Sequence, residues 1–143
     1  MDTESNPDSS ADLQRHAHPF CVACSNENPN GFHLKFTQID ERTVEAGFVC
    51  RNAYEGYPGR LHGGVIALLI DSAMTNCLFA LGSVAMTAEL KLRYLEPVLI
   101  LSLATVRARR IRTAHGLHYL ESEIIQQGRI KATGSGTFME LRA

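Results

Sequence analysis

Leu61-His62-Gly63-Gly64-Val65-Ile66-Ala67-Leu68-Leu69-Ile70-Asp71-Ser72-Ala73-Met74 is the stretch on which the reading of this chain turns. It is a glycine-led entry into a helix that is apolar nearly all round and broken by one carboxylate. A helix with apolar residues on every side is normally buried. Burying an ionised Asp without a partner costs several kcal/mol or raises its pKa. Asp71 therefore needs a reason to be there, and a catalytic role is a leading candidate. The alternative is a buried acid satisfied by backbone groups or by an arginine such as Arg93. The apolar pattern predicts a helix from about Gly63 to about Leu81, with Gly82 as its C-cap.

Upstream, Asn28-Pro29-Asn30-Gly31 is a turn signal. Phe32, Leu34 and Phe36 then alternate with His33, Lys35 and Thr37, which is strand periodicity. Thr43 to Cys50 reads as the returning strand, with Asp40-Glu41-Arg42 as the turn. Residues 52–60 contain Gly56, Pro58 and Gly59 and form a loop. Downstream lie four strand-like segments. Ala85 to Tyr94 alternates Ala88, Leu90, Leu92 and Tyr94 against Glu89, Lys91 and Arg93. Val98 to Ile111 is long and β-rich. Gly116 to Gln126 and Arg129 to Leu141 are joined by Gln127-Gly128, which suits a tight hairpin. The order β-β-α-β-β-β-β predicts an α+β fold, an antiparallel sheet wrapped around one long central helix. Residues 1–19 are polar and are expected to form a disordered lead, leaving 20–143 as a single domain.

The 143 residues carry a formal net charge of −1, so nothing suggests an electrostatic grip on nucleic acid or anionic lipid. The apolar run from Val65 to Leu81 is interrupted by Asp71, Ser72, Thr75 and Asn76, which reads against a membrane span. No stretch resembles a signal peptide, so a cytoplasmic protein with reduced thiols is expected. Its cysteines are Cys21, Cys24, Cys50 and Cys77. His16 and His18 precede the Cys21–Cys24 pair closely. In principle these four residues make a Cys2His2 zinc site, but the pairs are too close for the usual finger spacing. The plainer reading is packed or surface thiols and no metal, with Cys50 and Cys77 in the core.

The run His62-Gly63-Gly64-Val65-Ile66-Ala67, with Asp71 nine positions after the His, resembles the hotdog-fold acyl-CoA thioesterases, most closely the PaaI-like branch named for phenylacetic acid degradation. Gly56-Tyr57-Pro58-Gly59-Arg60-Leu61 and Thr87-Ala88-Glu89-Leu90-Lys91-Leu92-Arg93-Tyr94-Leu95-Glu96-Pro97-Val98 support the likeness. Cys21-Val22-Ala23-Cys24, followed by Asn28-Pro29-Asn30-Gly31-Phe32-His33-Leu34, is similar to one subgroup. The resemblance covers about residues 20–141. It implies a hotdog fold, a homodimer or homotetramer with sites at the subunit interface, and hydrolysis of an acyl-CoA thioester without metal or other cofactor, CoA being part of the substrate. By position it makes Asp71 the catalytic carboxylate, Gly63 the backbone donor to the thioester carbonyl, and Thr75 a hydroxyl that holds water. Relatives often carry Asn or Gln six residues before the His, where this chain has Gly56.

The chemistry can also be read from the residues. Thioester hydrolysis needs a base or nucleophile and donors to the charge growing on the carbonyl oxygen. A helix N-terminus supplies unpaired N–H groups and a positive dipole end, and Gly63 and Gly64 sit there. Asp71 lies eight residues further on, roughly 12 Å along the axis at 1.5 Å per residue. One carbonyl cannot reach both on the same helix, so a site using both must draw them from two subunits. Thr75 shares the face of Asp71. His62 is a candidate general acid, though shaping the turn is its plainer role. CoA phosphates call for basic residues near the mouth. Candidates are Arg60, Lys91, Arg93, Arg107, Arg109, Arg110 and Arg112; of these Arg60, Lys91, Arg93 and Arg110, with Gly64, are the expected substrate-binding residues. The expected function is hydrolysis of a medium-chain or aromatic acyl-CoA, and the competing one is a hotdog domain that binds or senses acyl-CoA without turnover. A hotdog hydratase ranks below both, because no Asp-x4-His pattern occurs on the helix.

Overall fold

The structure, a computed structural model, describes residues 9–141. The elements run α1 (Ser9–Ala17), β1 (Thr37–Gln38), β2 (Thr43–Val49), a 3-10 turn (Asn52–Tyr54), α2 (Gly63–Ala80), β3 (Ala85–Tyr94), β4 (Leu103–Ala114), β5 (Leu117–Gln126) and β6 (Arg129–Glu140). The strands form one antiparallel sheet in the order β1-β2-β4-β5-β6-β3. Helix α2 packs along one face of it, touching β2 through β6. This is the α+β hotdog arrangement expected from the sequence.

Apolar side chains on α2 fill the space between helix and sheet. Leu69, Ile70, Ala73, Met74 and Cys77 have no exposed surface and meet Val106, Leu120, Ile124 and Phe138 in one cluster. By length and hydropathy α2 would pass for a membrane span, but 61% of it is buried inside this fold, so it is the core helix. The helix lies directly on β6. A Cβ at Gly134 would come within 2.5 Å of Ile70 Cγ2, and one at Gly136 within 3.0 Å of Met74 Cε. Gly134→Ala is therefore expected to lower stability by about 1–3 kcal/mol through overpacking. Urea unfolding checks this; an unchanged midpoint would mean the helix does not sit so close.

The Gln127-Gly128 hairpin forms as expected, with φ of 54° and 72°, the left-handed pair that a two-residue turn requires. Other boundaries move. The alternation from Phe32 to Phe36 is not sheet: His33 turns the chain at φ 53°, Phe32 and Leu34 donate to the carbonyls of Val22 and Ala23 at 2.8 and 2.9 Å, and only Thr37–Gln38 pair with β2. The periodicity reports burial of Leu34 and an aromatic cluster of Phe32, Phe48 and Tyr54. Strand β4 starts at Leu103, not Val98. Residues 98–102 form a bend with Leu101 at φ 64°, pinned by buried Gln126, whose side chain bonds both the N–H and the carbonyl of Leu99 at 2.8 Å. Leu81 caps α2, and Gly82, at φ +82°, is the residue after the cap.

The expectation of a disordered lead over 1–19 falls partly outside the described residues. From Ser9 it is overturned. Residues 9–17 are helical and pack on α2, because Ala11, Leu13 and Ala17 are half-buried and Gln14 Nε2 donates to the Cys24 carbonyl at 3.1 Å. These tertiary contacts hold a segment too polar to signal order on its own.

Candidate active site

Gly64, Ala67, Leu68, Asp71, Ser72, Thr75 and Asn76 recur at three- and four-residue spacing and so lie on one face of α2. That stripe lines a cavity of about 410 Å³. Its other walls are His18, Cys21, Val22 and Ala23 from the segment after α1, and Leu90 of β3. Asp71 and Thr75 thus share the cavity, as their spacing predicts. Asp71 is half-buried, not sunk in the core, because it faces the cavity and the edge strand β3. The carboxylate is held by Thr87, whose Oγ1 donates to Oδ1 at 2.7 Å.

Thr87 is the site residue that sequence reading missed, and a β-bulge explains why. Pairing between β3 and β6 shifts between Thr87 and Glu89, leaving Ala88 as an extra residue. Simple alternation puts Thr87 on the same face as Glu89, Lys91 and Arg93. The bulge turns it to the helix side with Leu90 and Leu92, where it meets Asp71. A hydrogen bond to a charged group contributes about 1.5–3 kcal/mol, so if the bond matters in the transition state, Thr87→Val should lower turnover by roughly 10- to 100-fold. Steady-state kinetics on the folded variant reads this; full activity would make the contact incidental.

At the other end of the stripe, His62 is the N-cap of α2, and its Nδ1 accepts from the Gly64 N–H at 2.8 Å. The structure thus gives His62 its turn-shaping role and uses the Gly64 amide internally. The Gly63 N–H has no acceptor among the described residues and carries the positive end of the helix. Its carbonyl accepts from Tyr94 Oη at 2.9 Å, which ties the start of α2 to the end of β3. The glycine six residues before His62 also has a local cause: a Cβ at Gly56 would stand 3.0 Å from His62 Cα.

The basic candidates scatter. Arg60 is exposed in the loop before α2. Lys91 and Arg93 do not join Asp71 within this chain. They project from the opposite face of the sheet, into a groove of about 430 Å³ shared with Arg107, Arg109, Glu121 and Glu123. There Arg107 pairs with Glu45 at 2.9 Å and Arg109 with Glu121 at 2.9 Å, a ladder of partly exposed ion pairs worth little individually. Arg110 lies beside Cys77, toward the far end of α2. A second bulge, at Ile111, breaks the alternation that would have placed Arg110 and Arg112 together. Arg112 instead lies over the Tyr119 ring, 3.9 Å from its centroid.

At the cavity wall His18 and Cys21 converge with Cys24, their ligating atoms within 4.8 Å of one another. His16 is not among them; it is exposed on α1. Burial lowers the His18 pKa, and the charge of Asp71 opposes that shift. Burial pushes the Cys24 thiol up to about 11, against donors from Gln14 and Asn76. Cys50 and Cys77 are in the core as expected and are likewise raised to about 11 by burial.

Residues 58–133 match the family model described as thioesterase superfamily. Acyl-coenzyme A thioesterase THEM4 of Mus musculus is 36% identical over 77 residues, covering 54% of this chain and 33% of that protein. The Bos taurus protein of the same name is 26% identical over 118 residues, covering 80% and 48%. The chain therefore spans between a third and a half of the length of these curated relatives. Among solved structures, a phenylacetic acid degradation-related protein from Ralstonia eutropha JMP134 superposes with a TM-score of 0.73 at 23% identity, covering 89% of this chain and 98% of that one. A hypothetical thioesterase from Streptococcus pneumoniae TIGR4, solved with coenzyme A, gives 0.70 at 19%, covering 85% and 94%. At such identities the likeness speaks to fold alone.

Proposed function

The chain belongs to the thioesterase superfamily, and from that premise we propose that it hydrolyses an acyl-CoA thioester to the free acid and CoA at a site shared by two copies of the chain. The observation that carries this reading is Asp71 itself, a lone carboxylate on an apolar helix, oriented by Thr87 at the edge of a cavity. With one oxygen held, the other is left to take a proton from water, which Thr75 helps to hold. That water attacks the carbonyl carbon. The negative charge gathering on the carbonyl oxygen is met by the Gly63 N–H of the second copy, and CoA leaves as the thiol. Ala67, Leu68, Val22, Ala23 and Leu90 give the cavity an apolar lining suited to a medium-chain or aromatic acyl group.

Two observations support a shared site. First, Gly63 and Asp71 are too far apart along α2 to serve one carbonyl. Second, β3 is a ten-residue edge strand whose Met86 and Tyr94 are 60% and 53% exposed, and unpaired edges invite pairing. One end of β3 holds Asp71 through Thr87, and the other holds Gly63 through Tyr94. Antiparallel pairing of β3 with β3 of a second copy superposes the two ends and brings Asp71 of each chain toward Gly63 of the other. Thiol release from a panel of acyl-CoAs tests the function. Turnover is expected; tight binding of acyl-CoA without turnover would favour a sensing domain instead.

A further inference from the structure

Outside the thioester chemistry, the structure holds a cluster with no role in it. His18, Cys21 and Cys24 come from one short segment that follows α1, and their side chains converge. His18 Nδ1 and Cys24 Sγ are 3.6 Å apart. Bond lengths of about 2.3 Å to sulfur and 2.0–2.1 Å to nitrogen, at tetrahedral angles, put neighbouring ligand atoms about 3.5–3.8 Å apart. That pair already has the required separation, and no pair exceeds 4.8 Å, so closure needs movement of about 1 Å or less. Each sulfur also receives an N–H donor: Ala23 N to Cys21 Sγ at 3.3 Å, and Gln14 Nε2 to Cys24 Sγ at 3.3 Å. Donors aimed at sulfur stabilise thiolates and orient them toward a metal. The His18 ring is fixed edge-on against Phe79, with centroids 5.0 Å apart.

We propose that His18, Cys21 and Cys24 form a binding site for one thiophilic divalent cation of the zinc class, which clamps the segment after α1 against α2. Two thiolates and an imidazole select such an ion over magnesium or calcium. A disulfide between Cys21 and Cys24 would leave the convergence of His18 without a use. The clamp has a consequence for the pocket, because His18 and Cys21 are also wall residues of the cavity that contains Asp71. The fourth coordination position falls to water or another small ligand. All three protein ligands lie outside residues 58–133, the part matched by the family model, so the site is an addition to what that match describes.

The test uses the whole chain, untagged and reduced, titrated with zinc and with cobalt. One ion per chain is expected, with a thiolate-to-cobalt charge-transfer band and the visible intensity of a tetrahedral ion. Cys21→Ser, Cys24→Ser and His18→Gln should each weaken binding by about 100-fold or more while circular dichroism shows a folded chain. His16→Gln should bind as wild type does. Failure of the reduced, folded protein to bind either ion at micromolar concentration would overturn the proposal. So would retention of the ion by the Cys21, Cys24 and His18 variants, or isolation of the pair as a disulfide that binds no ion after reduction. None of these readouts depends on hydrolysis, so the site stands or falls apart from the thioesterase reading.

Discussion

Asp71→Asn is expected to slow thiol release from acyl-CoA by about 10²-fold or more. The substitution is nearly isosteric, and the amide oxygen can still accept the Thr87 hydroxyl that binds Oδ1 at 2.7 Å in the native chain. Cavity shape and helix packing are therefore kept. What is lost is the carboxylate that acts as base on the attacking water. The effect should fall mainly on kcat, because the carboxylate acts on water in the transition state and contributes little to holding the acyl chain. Asp71→Ala should lose at least as much. Unchanged rates in both folded variants would remove Asp71 from the chemistry.

Gly63→Pro should cost a further independent factor on the order of 10²–10³ in kcat, the usual consequence of deleting one donor to a developing oxyanion. The substitution is suited to the site. Proline is favoured at the first helical position, where the N–H has no intrahelical partner to lose. His62, the residue before it, has φ −61° and ψ 135°, the extended conformation that precedes proline readily. A Cβ at Gly63 meets the Tyr94 ring at 3.7 Å, ordinary van der Waals contact. Gly63→Ala fills the same space and keeps the N–H, so it should retain most activity. Equal loss in the Ala and Pro variants would point to the added atoms, not the amide.

Helix α2 was readable because its apolar content is continuous and one carboxylate interrupts it. The spacing of Asp71 and Thr75 placed both on one face, and they do line one cavity. Thr87 was hidden because reading β3 as an even alternation assigns it to the wrong face, and nothing in Thr87-Ala88-Glu89 marks the bulge. The same evenness, applied downstream, sets Lys91 and Arg93 opposite Leu90 and Leu92, so their separation from Asp71 within the chain is legible in the pattern. Helix α1 was hidden for another reason. Its docking rests on half-buried small residues and on Gln14 reaching Cys24, contacts between segments that no local pattern encodes. The choice of His18 over His16 beside the cysteines belongs to the same class: only the end of α1 decides which imidazole turns inward.

A shared site makes one demand that a site within a single chain does not. Chains carrying Asp71→Asn and chains carrying Gly63→Pro are each nearly inactive alone. After mixing through reversible dissociation, a hybrid has one site with both lesions and one with neither. Equal mixing makes half the dimers hybrids, so thiol release should recover to about a quarter of the wild-type rate per chain. No recovery in mixtures shown to contain hybrid dimers would place Asp71 and Gly63 in the same chain's site, and a wild-type protein that is monomeric while fully active would contradict a shared site outright.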